Sequence, residues 1–507
     1  MKAAWKNGRW ILPILMAAST VAHLLCIDQF GWFRDELYYM ACGAHLAWGY
    51  VDHPPLVAAA AATIPGHSFL AVRALPILCG ALCMLLTWRL CERMGAVGFG
   101  RVLATLAALF TPTYLFQFHT LSMNAFEVVL WSAGALLAID LDEHASTKRW
   151  LALGAVVGLG LLNKHSMLFW ASALAFAWLC TGRVRVFASA KPWLALAVAA
   201  LLVAPHVYWQ AVHGFPTREF YANAGERKIL HMSPLGYLGA QVTLAGPGNL
   251  LLWAPGLVWL LGARAARKFM FLGVAYLALL AMFIALHGKA YYMVPFYCVL
   301  FAAGGAAWEQ VRGRARPVLA GLAMLSVIGL GCVVAPMALP ILSPEQTIAH
   351  GKRLGITPPQ AERAVIAELP QHLADMFGWN ELVATVAKVR ATLPAEERAR
   401  VQIIAGNYGE AAAIDWLGPT WGLPSAYSPH NAYFMWATPE ATDAPVIVLG
   451  RRLTDGDKLN TVFDQVTMVG RTACNHCMPY ERDLSVFLCR GWKNPPGRIW
   501  PTLKFFF

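Results

Sequence analysis

This chain is short of charge. Asp, Glu, Lys and Arg make up 13% of its 507 residues, about half the share in ordinary soluble domains. That shortage excludes one large water-soluble fold. Acidic residues are the scarcer kind, 28 against 40 Lys and Arg. Regular repeats of 20–50 residues and low-complexity tracts are also missing, so a solenoid or propeller is excluded. The alternating ten-residue pattern of an outer-membrane barrel is absent too. In its place are long apolar runs: 58% of residues are hydrophobic and mean hydropathy is +0.51. The composition predicts a polytopic α-helical membrane protein.

Runs of membrane length fall near 10–27, 68–88, 100–116, 124–141, 150–164, 166–182, 192–210, 249–263, 269–287, 292–308 and 317–339, about 11 transmembrane helices. The first has the length of a signal peptide, but no small-residue cleavage pattern follows it, so it reads as an uncleaved helix. The net charge of +12 sits in small clusters between spans. These are Lys2/Lys6/Arg9, Arg89/Arg93/Arg101, Lys148/Arg149, Arg183/Arg185/Lys191, Arg264/Arg267/Lys268 and Arg312/Arg314/Arg316. Clusters in every second connection follow the positive-inside pattern, placing the N-terminus in the cytoplasm and the C-terminus outside. The basicity thus points to membrane lipids and not to nucleic acid.

Two domains are expected: a membrane domain over 1–342 with outer loops 28–67 and 211–248, and a small α/β extracytoplasmic domain over 343–507. In the second, 359–376 and 380–392 read as helices, and 401–405, 446–449 and 485–489 as short buried strands. Gly406-Asn407-Tyr408-Gly409-Glu410 reads as a strand-to-helix turn. Most of the eleven cysteines lie in apolar runs as small hydrophobes. Cys474-Asn475-His476-Cys477 is a single CxxC, a weak zinc signal. A structural disulfide joining Cys489 to Cys474 or Cys477 is the favoured expectation.

The outer face gathers the polar candidates. Asp35 and Glu36 follow the first span directly, and charge held so close to a bilayer points to function. Transfer of a group from a membrane-embedded activated carrier needs a carboxylate to take the acceptor's proton. It also needs cations to steady a departing phosphate. Arg34, Arg73, Lys164, Arg218, Arg227, Lys228 and Lys289 are candidates for the second task. Arg73 and Lys164 stand out because each interrupts an apolar context near a span end, although snorkelling to headgroups is the plainer alternative. His45, His53 and His67 lack tight ligand spacing and read as hydrogen-bonded loop residues before a metal cluster. His119, at a span end, is open between the two. Tyr291 and Tyr292 fit an interfacial aromatic belt equally well.

At these residues the chain resembles the bacterial relatives of protein O-mannosyltransferases and aminoarabinose transferases, family 39-like enzymes of the glycosyltransferase C superfamily. The passage Arg34-Asp35-Glu36-Leu37-Tyr38-Tyr39, followed by His45 to Leu56 with Asp52-His53-Pro54-Pro55, resembles the family's first outer loop. Gly158 to Lys164 resembles its G-x-x-x-L-x-K segment. Pro205 to Gln210, with Gly214-Phe215-Pro216 and Phe220, resembles the entry to its large outer loop, and Lys289 to Pro295 its lysine-tyrosine-proline motif. The likeness covers roughly residues 1–340.

The resemblance implies a glycosyltransferase, hexosyl or pentosyl, of the cytoplasmic (inner) membrane. It would move sugar from a polyprenyl-phosphate donor, undecaprenyl-phosphate-like, to a glycan, lipid or protein acceptor outside. Envelope glycan, lipopolysaccharide or protein glycosylation all fit. Asp35 would be the general base and Glu36 would orient it or shape the site. Lys164 and Lys289, with Tyr292, would lie by the donor phosphate, and Arg73 is added to them on its own place near a span end. Arg34, Tyr38, Tyr39, His53, His119 and Arg218 would shape the substrate site. No cofactor is expected; scattered carboxylates allow a divalent metal, which the family branch does not require. Relatives often carry Asp where this chain has Ser122-Met123-Asn124, and Asn124 cannot act as a base. In the C-terminal part, Asn407 to Ala411, Trp421 to Pro424 and His430-Asn431 follow another pattern of this branch without a defined role. Glu410 and His430 are open between facing the acceptor and holding a turn. The competing readings are a transporter or flippase of lipid-linked glycan, and a membrane-anchored envelope binding protein. The first lacks the internal symmetry of transporter halves.

Overall fold

A computed structural model describes residues 10–142, 144–227, 230–356, 365–450 and 456–507. The Lys2/Lys6/Arg9 cluster, Lys228 and the start of the expected 359–376 helix lie outside them. The chain folds into two compact units. One comprises Met1–Ile27, Arg73–Tyr208 and His231–Ile341; the other Asp28–Val72, Trp209–Leu230 and Leu342–Phe507. Residues 28–72 and 209–230 thus cluster with the C-terminal residues.

The first unit is helical. Each of the eleven expected spans falls on helix, but their lengths differ. Among the described residues five helices are long and apolar enough to cross a membrane: Phe69–Arg93, Ala190–Val212, Arg264–Ala285, Ala290–Gln310 and Arg316–Met337. Ile11–Leu25, Phe99–Leu109, Met123–Ile139 and Ser166–Cys180 are shorter apolar helices. The expected 100–116 span breaks because Pro112, with no N–H to donate, begins a separate helix, Pro112–Gln117. Pro234–Ala245 and Pro247–Gly262 meet at a 98° bend. Gly246 turns the chain there at φ +95°. Asn249 then donates to the carbonyls of Ala245 at 2.7 Å and Ala107 at 3.1 Å. A buried break needs such side-chain partners in apolar surroundings.

Helices in this unit approach through small residues. A Cβ on Gly100 would lie 2.0 Å from the Gly305 carbonyl oxygen, and one on Gly256 2.3 Å from that of Leu300. Backbones come this close only where side chains are absent, the usual basis of helix association in lipid.

The second unit contains a five-stranded mixed sheet. Its strands are β1 (Gln402–Ile404), β2 (Ala426–Tyr427), β3 (Val446–Leu449), β4 (Phe463–Arg471) and β5 (Ser485–Trp492). Their order is β2-β1-β3-β5-β4, with β1 parallel to β2 and β3 and β5 antiparallel to its neighbours. The expected strands and the Trp379–Ala391 helix are all present. Of the expected 359–376 helix only 365–376 is described, and there the chain is irregular apart from one turn, Gln371–Ala374. Pro370 ends any helix arriving from Leu369 by restricting that residue and removing a donor.

The expected disulfide is also overturned. Cys474 bonds Cys477, while Cys489 is a buried free thiol. Cys489 lies on β5, packed with Ile404, Val446, Val448, Phe463 and Trp500. The strand commits its side chain to the sheet core.

Candidate active site

The acidic pair opens the Arg34–Ala44 helix of the second unit. Glu36 is fully buried and accepts the Phe33 backbone N–H at 3.0 Å. A carboxylate three residues into a helix caps an otherwise orphaned donor. Its observed contact is therefore structural, while its neighbour Asp35 is the accessible carboxylate, with 30% of its side chain exposed. Asp35 Oδ1 accepts from the Tyr408 hydroxyl at 2.9 Å and lies 3.5 Å from Arg34 Nε.

Arg34 points inward. Its guanidinium reaches the Tyr480 hydroxyl, lies 3.4 Å from Asp375 Oδ1, and stands 5.5 Å from the Tyr408 ring centre. The Tyr480 hydroxyl donates to Asp375 at 2.9 Å. Behind them, Tyr38 donates to Asp52 at 2.8 Å and Tyr39 packs edge-on to His53. Burial raises the Asp52 carboxyl, and the nearby His53 opposes that rise. His53 bonds the Pro54 carbonyl at 2.8 Å. His45 instead stacks on Trp436 and His67 on Trp416. The three histidines thus have separate partners. Arg218 is exposed on the Pro216–Arg227 helix.

A second constellation lies in the first unit. Lys164, at the C-terminal end of the Thr147–Asn163 helix, bonds Asn124 Oδ1 and Glu127 Oε2, both at 2.8 Å. Its ammonium stands 5.0 and 4.9 Å from the ring centres of Tyr291 and Tyr292. Lys289, half-buried, begins the Ala290–Phe296 turn that carries both tyrosines. Arg73 is fully buried, donating to the Ile27 carbonyl and standing 3.3 Å from His119 Nε2. His119 stacks on His23 at 5.7 Å. Arg73 is therefore held inside the protein, which removes snorkelling to headgroups as its explanation.

The structure thus brings Arg34, Asp35, Tyr38, Tyr39 and His53 together in one unit, and Lys164 with Tyr292 in the other. Arg73 and His119 form a separate pair in that unit. Several partners were missed. Glu127 interrupts an apolar run, and an acid in such a segment is itself a functional signal. Asn124, discounted as a base, serves as an acceptor for Lys164. Asp375 and Tyr480 carried no local signal, because their partner Arg34 lies hundreds of residues away, while Tyr408 lay in a legible turn with no defined role. Among the described residues no group of three or more His, Cys, Asp or Glu converges as a metal site.

Residues 52–209 match a family model described as dolichyl-phosphate-mannose-protein mannosyltransferase. No curated protein sequence matches the chain. The fold is similar to ArnT from Cupriavidus metallidurans bound to undecaprenyl phosphate, at TM-score 0.62 and 15% identity, covering 95% of this chain and 98% of that one. Against the same protein in the apo state the TM-score is 0.61, at 15% identity, covering 94% and 97%.

Proposed function

We propose that this membrane protein of the glycosyltransferase C fold moves a sugar from a polyprenyl-phosphate carrier to an acceptor on the outer side of the cytoplasmic membrane, with Asp35 as general base. The observation that carries the reading is the contrast within the acidic pair. Glu36 is buried in a capping bond, while Asp35 is partly exposed with one oxygen held by Tyr408 and Arg34.

In the reaction, the acceptor's O–H or N–H gives its proton to Asp35 as the heteroatom bonds the anomeric carbon. The bond from that carbon to the phosphate oxygen breaks, and the carrier leaves as polyprenyl phosphate with the electron pair. Arg73, Lys164 and Lys289 are the cations assigned to that phosphate, with Tyr292 beside Lys164. The likeness to a structure holding undecaprenyl phosphate supports a lipid-phosphate donor. Glu127 offsets the Lys164 charge and Arg73 is fully buried, so half-buried Lys289 is the most accessible of the three cations. Arg34, Tyr38, Tyr39, His53, His119 and Arg218 are assigned to shaping the site. The basic clusters between spans support a cytoplasmic N-terminus, with residues 343–507 outside.

The test is transfer by the purified protein in detergent, given a polyprenyl-phosphate sugar and envelope acceptors, with products followed by mass spectrometry. Asp35→Asn is expected to lower kcat by roughly 10²–10⁴-fold with unchanged melting. Full turnover by that variant would remove the base assignment.

A further inference from the structure

The Asn407-Tyr408-Gly409-Glu410 passage was legible as a strand-to-helix turn, but sequence gave it no task. We propose that this turn is a clamp for Asp35, with Tyr408 as the positioning residue that holds the carboxylate by one oxygen. The inference rests on Asp35 being the base and goes beyond it by assigning a role to the C-terminal part of the chain.

Three observations converge. The first is the bond itself. Tyr408 donates to Asp35 Oδ1 at 2.9 Å, and Arg34 Nε faces the same oxygen at 3.5 Å. With both contacts on Oδ1, Oδ2 is the oxygen left to receive a proton. Burial raises the Tyr408 hydroxyl well above its ordinary range, so it remains a donor at any working pH.

The second is the fixation of the ring. Tyr408 lies 4.5 Å from the Tyr38 ring and 4.8 Å from His430, and its backbone N–H reaches His430 Nδ1 at 3.4 Å. A side chain packed on two faces cannot leave its partner without opening the core.

The third is the fixation of the turn. Asn407 Oδ1 accepts the N–H groups of Gly409 and Glu410 at 2.8 and 3.0 Å, capping the Tyr408–Leu417 helix. Its amide nitrogen donates to Glu410 Oε1 at 2.7 Å and Glu481 Oε1 at 2.9 Å, and Glu410 Oε2 accepts the Gly406 N–H at 2.7 Å. Gly409 then lets the helix press on Arg34: a Cβ there would lie 2.6 Å from Arg34 Cγ. The turn therefore grips both neighbours in the acidic loop, Asp35 through the hydroxyl and Arg34 through the missing side chain.

The other charged or titratable groups near Asp35 are Arg34, Tyr39 and Asp52, and none is altered by changing Tyr408. The experiment is steady-state transfer by Tyr408→Phe in the full-length protein, with kcat and donor KM read separately. The expected result is a roughly 10- to 100-fold fall in kcat with an unchanged donor KM, as for loss of a hydrogen bond to a charged group. Gly409→Ala, which keeps the hydroxyl but displaces Arg34, is expected to lower kcat as well. If Asp35→Asn is inactive while Tyr408→Phe keeps its kcat, the clamp is overturned and the base assignment stands. If Asp35→Asn keeps its turnover, the base assignment fails first.

Discussion

Replacing Glu127 by alanine would leave Lys164 as a buried cation without its anion. In the intact protein only 8% of the Lys164 side chain and 3% of the Glu127 side chain are exposed, and their charged atoms lie 2.8 Å apart. Removing one member of such a pair costs about 3–5 kcal/mol, chiefly from the charge left unpaired. Ser166, which donates to the other Glu127 oxygen, loses its acceptor, adding about 1 kcal/mol. The Tyr291 and Tyr292 rings at 5.0 and 4.9 Å return roughly 1–2 kcal/mol through cation–π attraction. Asn124 keeps its bond.

The net expectation is a loss of about 2–5 kcal/mol, seen as a melting point lowered by roughly 2–5 °C in detergent for a chain of 507 residues. Far-UV circular dichroism of the helices is the assay. Glu127→Leu combined with Lys164→Met removes both charges together and is expected to recover most of the loss. The double-mutant cycle should then report a coupling of about 2 kcal/mol or more. Two near-neutral single variants whose effects add would refute the reasoning, because the pair would then carry no buried-charge penalty.

Two further outcomes follow from packing and protonation. Gly100→Ala places a methyl 2.0 Å from the Gly305 carbonyl oxygen, so the Phe99–Leu109 and Tyr297–Gln310 helices must separate. A loss of about 1–3 kcal/mol is expected by the same melting assay, and an unchanged melting point would show that the contact yields freely. Burial raises Glu481 to about 7, while Asn407 and Arg34 oppose the rise, and Glu410 beside it is raised by burial as well. The folded state thus holds the Glu481 proton more tightly than the unfolded chain. Its contribution is present in full below the ordinary carboxylate range and is lost as pH rises through about 7. Melting of the intact protein is expected to fall between about pH 5 and 7, and Glu481→Gln should flatten that slope; equal slopes in both proteins would count against it.

The apolar runs were legible because membrane length and charge asymmetry are local properties of a sequence. Each expected span falls on helix, while the bend at Gly246 and the break at Pro112 show where proline and glycine divide a run that hydropathy alone reads as continuous. The short strands β1, β3 and β5 were legible as apolar runs. Over 365–376 the expected helix gives way at Pro370, which removes a donor and restricts the residue before it. Asp35 stood out through its place after a span, and its exposure now separates it from Glu36. The choice between them was not legible, since it depends on which carboxylate reaches the Phe33 N–H. The same holds for Cys489: an oxidising compartment permits its pairing with the CxxC cysteines, but its strand buries it in the sheet core. Glu127 was overlooked within an apolar run, although an acid there needs a partner as much as Lys164 does.

The bond between Tyr408 and Asp35 spans 373 positions of chain, and that interval has a meaning in time. A ribosome adding 5–20 residues per second reaches Tyr408 roughly 20–75 s after Asp35 has been made. Before residue 375 is made the acidic loop has none of Asp375, Tyr408 and Tyr480 to hold it. A nascent or truncated chain ending near residue 342 would carry every apolar span and still present Arg34 and Asp35 without these partners. Completion of the last third of the polypeptide is then the event that sets the carboxylate, so a prematurely terminated product inserts as membrane protein before its acidic loop is finished.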